Sequence, residues 1–198
     1  MKAIGWLALA GLMVLPGCVA PVGPVEVTRF HRPELQAAPR DAIAVVPAPG
    51  ADGESIEFNT YAAAVRRELQ RIGYAQVQAP PDTSAQVAEL SISRAMLRAD
   101  GRRSPVSVGV GGSTGSYGSG LGVGIGIDLS GPPPEQVETQ MRVTIRDRAT
   151  GQAVWEGRAS FTVRADSPMA DPPLGASRLA EALFKDFPGR SGETIYVR

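Results

Sequence analysis

Nucleophilic or metal-binding chemistry in this chain would have to come from very few side chains, because it holds one cysteine, Cys18, and one histidine, His31. A lone cysteine cannot close an internal disulfide, which leaves lipid, metal, nucleophile or no role for Cys18. A Ser-His-Asp or Cys-His constellation would depend on His31, which reads as a surface or edge-strand residue. Carboxylates such as Asp82, Glu89, Asp128 and Asp147 are present, but a catalytic pair is not recognisable from separation along the chain. Each of them reads as a turn or solvated residue, and Asp147 with Thr150-Gly151 as turn chemistry. Trp155 could be a ligand platform, yet the phase of its strand turns it inward. No His/Cys spacing matches a metal site. The expectation is therefore a protein that is not an enzyme, with no catalytic, cofactor-binding or metal residue and no cofactor.

Cys18 has a setting of its own. Lys2 supplies a minimal positive start, and Ala3 to Leu15 form an apolar run of signal-peptide length. That run is shorter than the roughly 20 apolar residues of a comfortable membrane span. Leu15-Pro16-Gly17-Cys18 resembles a bacterial lipobox, with Leu three before the cysteine and Gly just before it. Pro16 departs from the usual occupant of the middle position. The resemblance implies cleavage after Gly17, so that residues 1–17 are a lipoprotein signal peptide and Cys18 becomes the acylated first residue. A second acyl chain matters physically: one chain anchors marginally, two or more hold stably, at about 0.8 kcal/mol per buried methylene. Val19 rather than Asp follows the cysteine, which by resemblance to Gram-negative sorting implies the outer membrane, on its periplasmic side. The expected partner at this end is membrane lipid, through Cys18.

Charge excludes another class of partner. Lys+Arg and Asp+Glu stand at 20 each, and losing Lys2 with the signal leaves 19 basic against 20 acidic residues. A neutral chain of this kind offers no footprint for nucleic acid.

The remaining chain must supply a fold. Residues 18–24 are small and Pro-containing and suit a short tether, and 25–198 are of single-domain size. Val25 to Phe30 and Asp41 to Val46 read as strands. In "SIEFNTYAAAVRRELQRIGY", Tyr61, Val65, Leu69 and Ile72 share one helical face, with Ser55 or Asn59 to cap the start and Gly73 to close it. "YAQVQ" and Gln86 to Leu97 follow as strands. Val137, Met141, Val143 and Ile145 then alternate with polar residues, as do Trp155, Ala159, Phe161 and Val163 after a Gly-containing turn, which makes a hairpin with one wet face. A second helix follows, with Asp171 able to cap its start, Pro172 or Pro173 in its first turn and a stop at Pro188-Gly189. Leu179, Leu183, Phe184 and Phe187 form its buried stripe, and "ETIYVR" is a closing strand. The expected class is α/β (α+β): a single mixed or antiparallel sheet with two helices packed on it.

One stretch departs from this pattern. Residues 104–131 read "SPVSVGVGGSTGSYGSGLGVGIGIDLSG". Val106, Val108 and Val110, then Leu121, Val123, Ile125 and Ile127, alternate with Ser and Gly, a hairpin pattern with one apolar and one bare face. Glycine weakens a strand and offers nothing to pack. Four readings stay open: a low-complexity insertion between core strands, a long hairpin lying on its own domain, a surface for an envelope partner or self-association, and a membrane-inserting hairpin. Neither GxGxxG nor GxxxxGK[ST] is present and no helix follows, which excludes a phosphate cradle.

With these elements placed, "IRDRATGQAVWEGRASFTV" resembles the central signature of the bacterial lipoproteins grouped as domain-of-unknown-function family 4136. Its Asp-x-x-Thr-Gly turn and Val-Trp-x-Gly strand are matched by Asp147, Thr150, Gly151, Val154, Trp155 and Gly157. The "AAAVRRELQRIGY" helix, the strand from Ala85 to Ser93, the mid-chain glycine-rich insertion and the "LAEALFKDFPG" ending fit as well. The family's Tyr-Ala-Trp-type opening strand is missing, with "DAIAVVPA" in its place. The resemblance implies a periplasm-facing, lipid-anchored α/β domain and carries no catalytic residue. The expected role is non-enzymatic binding or envelope assembly; the alternative is an accessory subunit of an envelope transport or secretion complex that uses the 104–131 hairpin as its contact surface.

Overall fold

A computed structural model describes residues 23–33, 40–76, 84–97, 106–115, 118–127 and 134–198, with 106–115 and 118–127 described by backbone alone. The strands are β1 (Val25–His31), β2 (Ala42–Pro47), β3 (Ala75–Gln76), β4 (Gln86–Leu97), β5 (Val106–Gly115), β6 (Gly118–Ile127), β7 (Gln136–Asp147), β8 (Ala153–Arg164) and β9 (Thr194–Val197). The helices are α1 (Ile56–Arg71) and α2 (Pro172–Phe184).

Seven strands form one mixed sheet in the order β3-β2-β4-β7-β8-β1-β9. The pairs of β2 with β3 and β4 are parallel, and the other pairs are antiparallel. Two crossovers account for the helices: β2-α1-β3, and β8-α2-β9 with β1 lying between the two strands. α1 and α2 touch each other as well as the sheet, and Arg67 donates to Ser177 Oγ across their contact at 2.9 Å. The expected α+β layer is therefore present, in its mixed form.

Period-2 alternation sets the two sides of the sheet. Val25 and Val27, Ala88 and Leu90, Met141, Val143 and Ile145, and Trp155, Ala159, Phe161 and Val163 are buried under the helices. Tyr61, Val65 and Leu69 of α1 and Leu179, Leu183 and Phe184 of α2 meet them. The other side is open and polar, with Glu89, Arg142, Thr144, Glu156 and Arg158 along its central strands.

The ends of the helices show why each stops. Ser55 Oγ accepts from Phe58 N at 3.0 Å and caps α1. Gly73, at φ +102, closes it: Gly73 N donates to Gln70 O and Tyr74 N to Leu69 O, both at 3.0 Å, the paired bonds of a Schellman ending. Two expectations about α2 need correction. Asp171 is its N-cap residue, but the side chain makes no capping bond. The helix also ends at Phe184, ahead of Pro188-Gly189, because Lys185 turns extended (ψ 131) and Asp186 takes φ +53; Arg29 of β1 caps the carbonyls left free, as set out below.

β4 and β7 pair continuously from Gln86↔Asp147 to Leu97↔Gln136. The glycine-rich segment is thus spliced between two adjacent strands. Its backbone pairs Val106↔Ile127 through Gly115↔Gly118 as a two-stranded ladder separate from the main sheet. The side chains on which the four readings of residues 104–131 turn lie outside the described residues.

Candidate functional site

The sequence signature serves the fold. Asp147 Oδ1 accepts from Thr150 N and Thr150 Oγ1, each at 2.8 Å, and Gly151 at φ +69 completes the turn between β7 and β8. The hydroxyl and amide of Thr150 hold the Asp147 carboxyl below its ordinary value. Trp155 is 1% exposed, as its strand phase predicts. Its ring stacks on Phe184 at 5.4 Å, and Nε1 donates to Pro188 O at 3.1 Å. The glycine two residues on is sterically required. A Cβ at Gly157 would stand 2.8 Å from Leu183 Cδ1 and closer still to the Trp155 ring. Val-Trp-x-Gly is therefore a packing motif: the indole lies over the bare glycine.

Cys18, Asp82 and Asp128 lie outside the described residues, as do the side chains of 106–115 and 118–127. Glu89 forms an ion pair with Arg146 at 2.9 Å. β1 runs between β8 and β9, but β9 pairs only with Val25 to Thr28, so His31 has a ladder partner, Trp155, on one side alone. Its ring is half-buried, with Nδ1 3.0 Å from Arg32 O and Nε2 3.2 Å from Gly189 O.

Close to His31 lies a concave feature that sequence reasoning missed. Arg29 is 4% exposed. Its Nε donates to Leu183 O at 2.9 Å and its Nη2 to Ala182 O at 2.8 Å, so a cation from β1 caps the C-terminus of α2. Burial lowers the guanidinium's proton affinity, and Asp186 partly restores it. Gly189, at φ +82, packs on Arg29; a Cβ there would stand 2.7 Å from Nη1. Around this guanidinium Asp186, Pro188, Gly189, Arg190, Glu193 and Ile195 line a cleft of about 310 Å³. Both signs of charge face it, with Arg190 and Glu193 4.0 Å apart at its rim. The signal was present in "VEVTRF": the alternation that buries Val25 and Val27 puts Arg29 on the same face.

A second cleft, of about 400 Å³, runs between the C-terminal halves of the helices and shares Asp186, with Glu68, Glu181, Arg71 and Arg178 among its walls. Glu68 is paired with Arg71 at 2.7 Å. The lining of the Arg29 cleft brings two guanidiniums, Arg29 and Arg190, together with two carboxylates, Asp186 and Glu193. Among the described residues no group of three or more His, Cys, Asp or Glu is placed to hold a metal ion, and no helix is long and apolar enough to cross a membrane.

The profile of a family described as a domain of unknown function, DUF4136, matches residues 39–189. An uncharacterized protein of Zymomonas mobilis is 29% identical over 216 residues, covering 88% of this chain and 80% of its own. Among solved structures, a PDZ domain protein from Parabacteroides distasonis aligns at TM-score 0.47 and 10% identity over 88% of this chain. The chain spans 39% of that protein's length. A PelC dodecamer from Paraburkholderia phytofirmans aligns at TM-score 0.43 and 13% identity, covering 84% of this chain and 99% of its own. The Arg29 cleft is built partly from residues outside the matched range, namely Arg29, Arg190, Glu193 and Ile195.

Proposed function

The chain belongs to the DUF4136 family, and from that premise we propose that it is an outer-membrane lipoprotein facing the periplasm, anchored by acyl chains on Cys18, with a non-enzymatic binding or envelope-assembly role. The observation that carries this reading is Leu15-Pro16-Gly17-Cys18 at the end of an apolar run, with Val19 after it. The fold is compatible with a short tether, because β1 begins at Val25, seven residues beyond the acylated position. Support for a binding role comes from the Arg29 cleft, whose mixed charges suit a small polar ligand or a partner's side chains. The buried polar groups Arg29 and Trp155 Nε1 are engaged in holding the fold, which favours recognition over reaction. Fatty-acid labelling of cells producing the protein or its Cys18→Ser variant tests the anchor. Label and outer-membrane fractionation are expected for the native protein and absent from the variant; equal behaviour of the two contradicts the reading.

One observation favours a second reading, an accessory subunit of an envelope transport or secretion complex. The β5-β6 ladder stands apart from the seven-stranded sheet and is unnecessary to its pairing, as a contact element would be. Crosslinked pull-down with and without residues 104–131 separates the two. Loss of partners on deletion supports the accessory role, and an unchanged set contradicts it.

A further inference from the structure

Three independent features converge on one end of the sheet. Gly23 and Pro24 lead into β1 at this end, since β1 pairs Glu26 with Ser160 near the end of β8. The insertion leaves and returns here, through Leu97 and Gln136, the last pair of the β4-β7 ladder. Here too are five of the six large hydrophobic side chains exposed among the described residues: Ile56 (86%), Met96 (57%), Leu97 (41%), Leu174 (47%) and, opposite Glu26, Tyr196. Ile56 opens α1 and Leu174 lies in the first turn of α2. Arg94 binds this end together, with Nη1 3.2 Å from Glu57 Oε1 and Nη2 donating to Ala170 O at 2.7 Å. The Arg29 cleft and the Asp147 turn lie at the other end of the same strands.

We propose that this apolar end is a lipid-contact surface: the domain stands on the bilayer that holds its anchor, with Ile56, Met96, Leu97 and Leu174 against the headgroup boundary and the Arg29 cleft turned away. The proposal rests on the acylation of Cys18. Cys18 and Gly23 are five Cα–Cα steps apart, a reach of at most about 18 Å at roughly 3.3–3.6 Å per residue, so the anchor leaves this end little distance from the membrane. Isolated exposed apolar side chains are ordinary, but a group of them at the end that meets the tether marks an interaction site. Both helices direct their N-termini the same way, and the partial positive charge there complements phosphate headgroups. Asp52, Glu54 and Asp171 give the same end negative charge, so the bilayer it suits is zwitterionic, rich in phosphatidylethanolamine.

Acylation of Cys18 makes the test clean, because an introduced cysteine is then the one free thiol. Full-length acylated Ile56→Cys, Leu97→Cys and, as a control at the far end, Ala149→Cys are labelled with an environment-sensitive fluorophore. They are reconstituted on phosphatidylethanolamine/phosphatidylcholine vesicles carrying spin-labelled acyl chains. Quenching at positions 56 and 97 several-fold above that at 149 is expected. Equal quenching at all three, with the protein still floating with the vesicles, overturns the orientation and leaves the anchor standing. Protection of positions 56 and 97 without quenching, together with a doubled mass in detergent, assigns the surface to a second copy and also overturns it. Failure to float, with a Cys18 that carries no lipid, overturns the anchoring reading and this proposal with it.

Discussion

At the scale of single residues, the family signature is explained by packing and turn chemistry. Trp155 over Gly157 tolerates no Cβ, so Gly157→Ala is expected to cost about 1–3 kcal/mol, as overpacking does, read from denaturant unfolding. Arg29→Met is expected to lose about 2–3 kcal/mol, because the Ala182 and Leu183 carbonyls lose a charged donor. The same variant should disturb the cleft more than the far end of the sheet, which amide exchange along α2 would report. Asp147 supplies a pH dependence. Its carboxyl is lowered in the fold by bonds from Thr150, so its contribution is full above the unfolded carboxylate value near pH 4 and is lost as pH falls through the lowered one. An Asp147→Asn variant should therefore lose less stability than the native protein between pH 4 and pH 2. Parallel acid-unfolding curves for the two would contradict this.

Legibility divides by range at the scale of elements. α1 could be read from its sequence because its signals are local: Ser55 caps, Tyr61, Val65 and Leu69 share a face, and Gly73 permits the left-handed turn. The β7-β8 hairpin was legible for the same reason. The place of β1 between β8 and β9 was not, since pairings such as Glu26↔Ser160 and Val27↔Ile195 join distant parts of the chain. The end of α2 was misread on the same account: Pro188-Gly189 is a local stop, but the chain leaves the helix earlier, at Lys185 and Asp186, where Arg29 from another strand caps the free carbonyls. The cleft escaped notice because Arg29, Asp186 and Glu193 meet only once that topology is fixed. An element-scale prediction follows from the continuous β4-β7 ladder. Replacing residues 104–131 by a short turn should leave the circular dichroism and cooperative unfolding of the seven-stranded domain essentially unchanged. Failure to fold would show that the insertion is structural.

For the whole molecule, the two sides and two ends of the sheet have different characters. One side is sealed by the helices and the other is polar. One end joins the tether, the insertion and most of the exposed apolar residues, while the other holds the Trp155-Phe184 cluster and the Arg29 cleft. Under the proposed anchoring, such polarity would hold the domain by one end at the membrane and present the other end away from it. It has meaning only if Cys18 carries lipid, and Pro16 in the lipobox makes that the point to measure. Mass spectrometry of the N-terminal peptide from the native envelope is the most direct test. A peptide beginning at Cys18, with diacylglyceryl on its sulfur and an acyl chain on its amine, is the predicted result. A free Cys18 thiol, or an N-terminus created by cleavage at another bond, would contradict it.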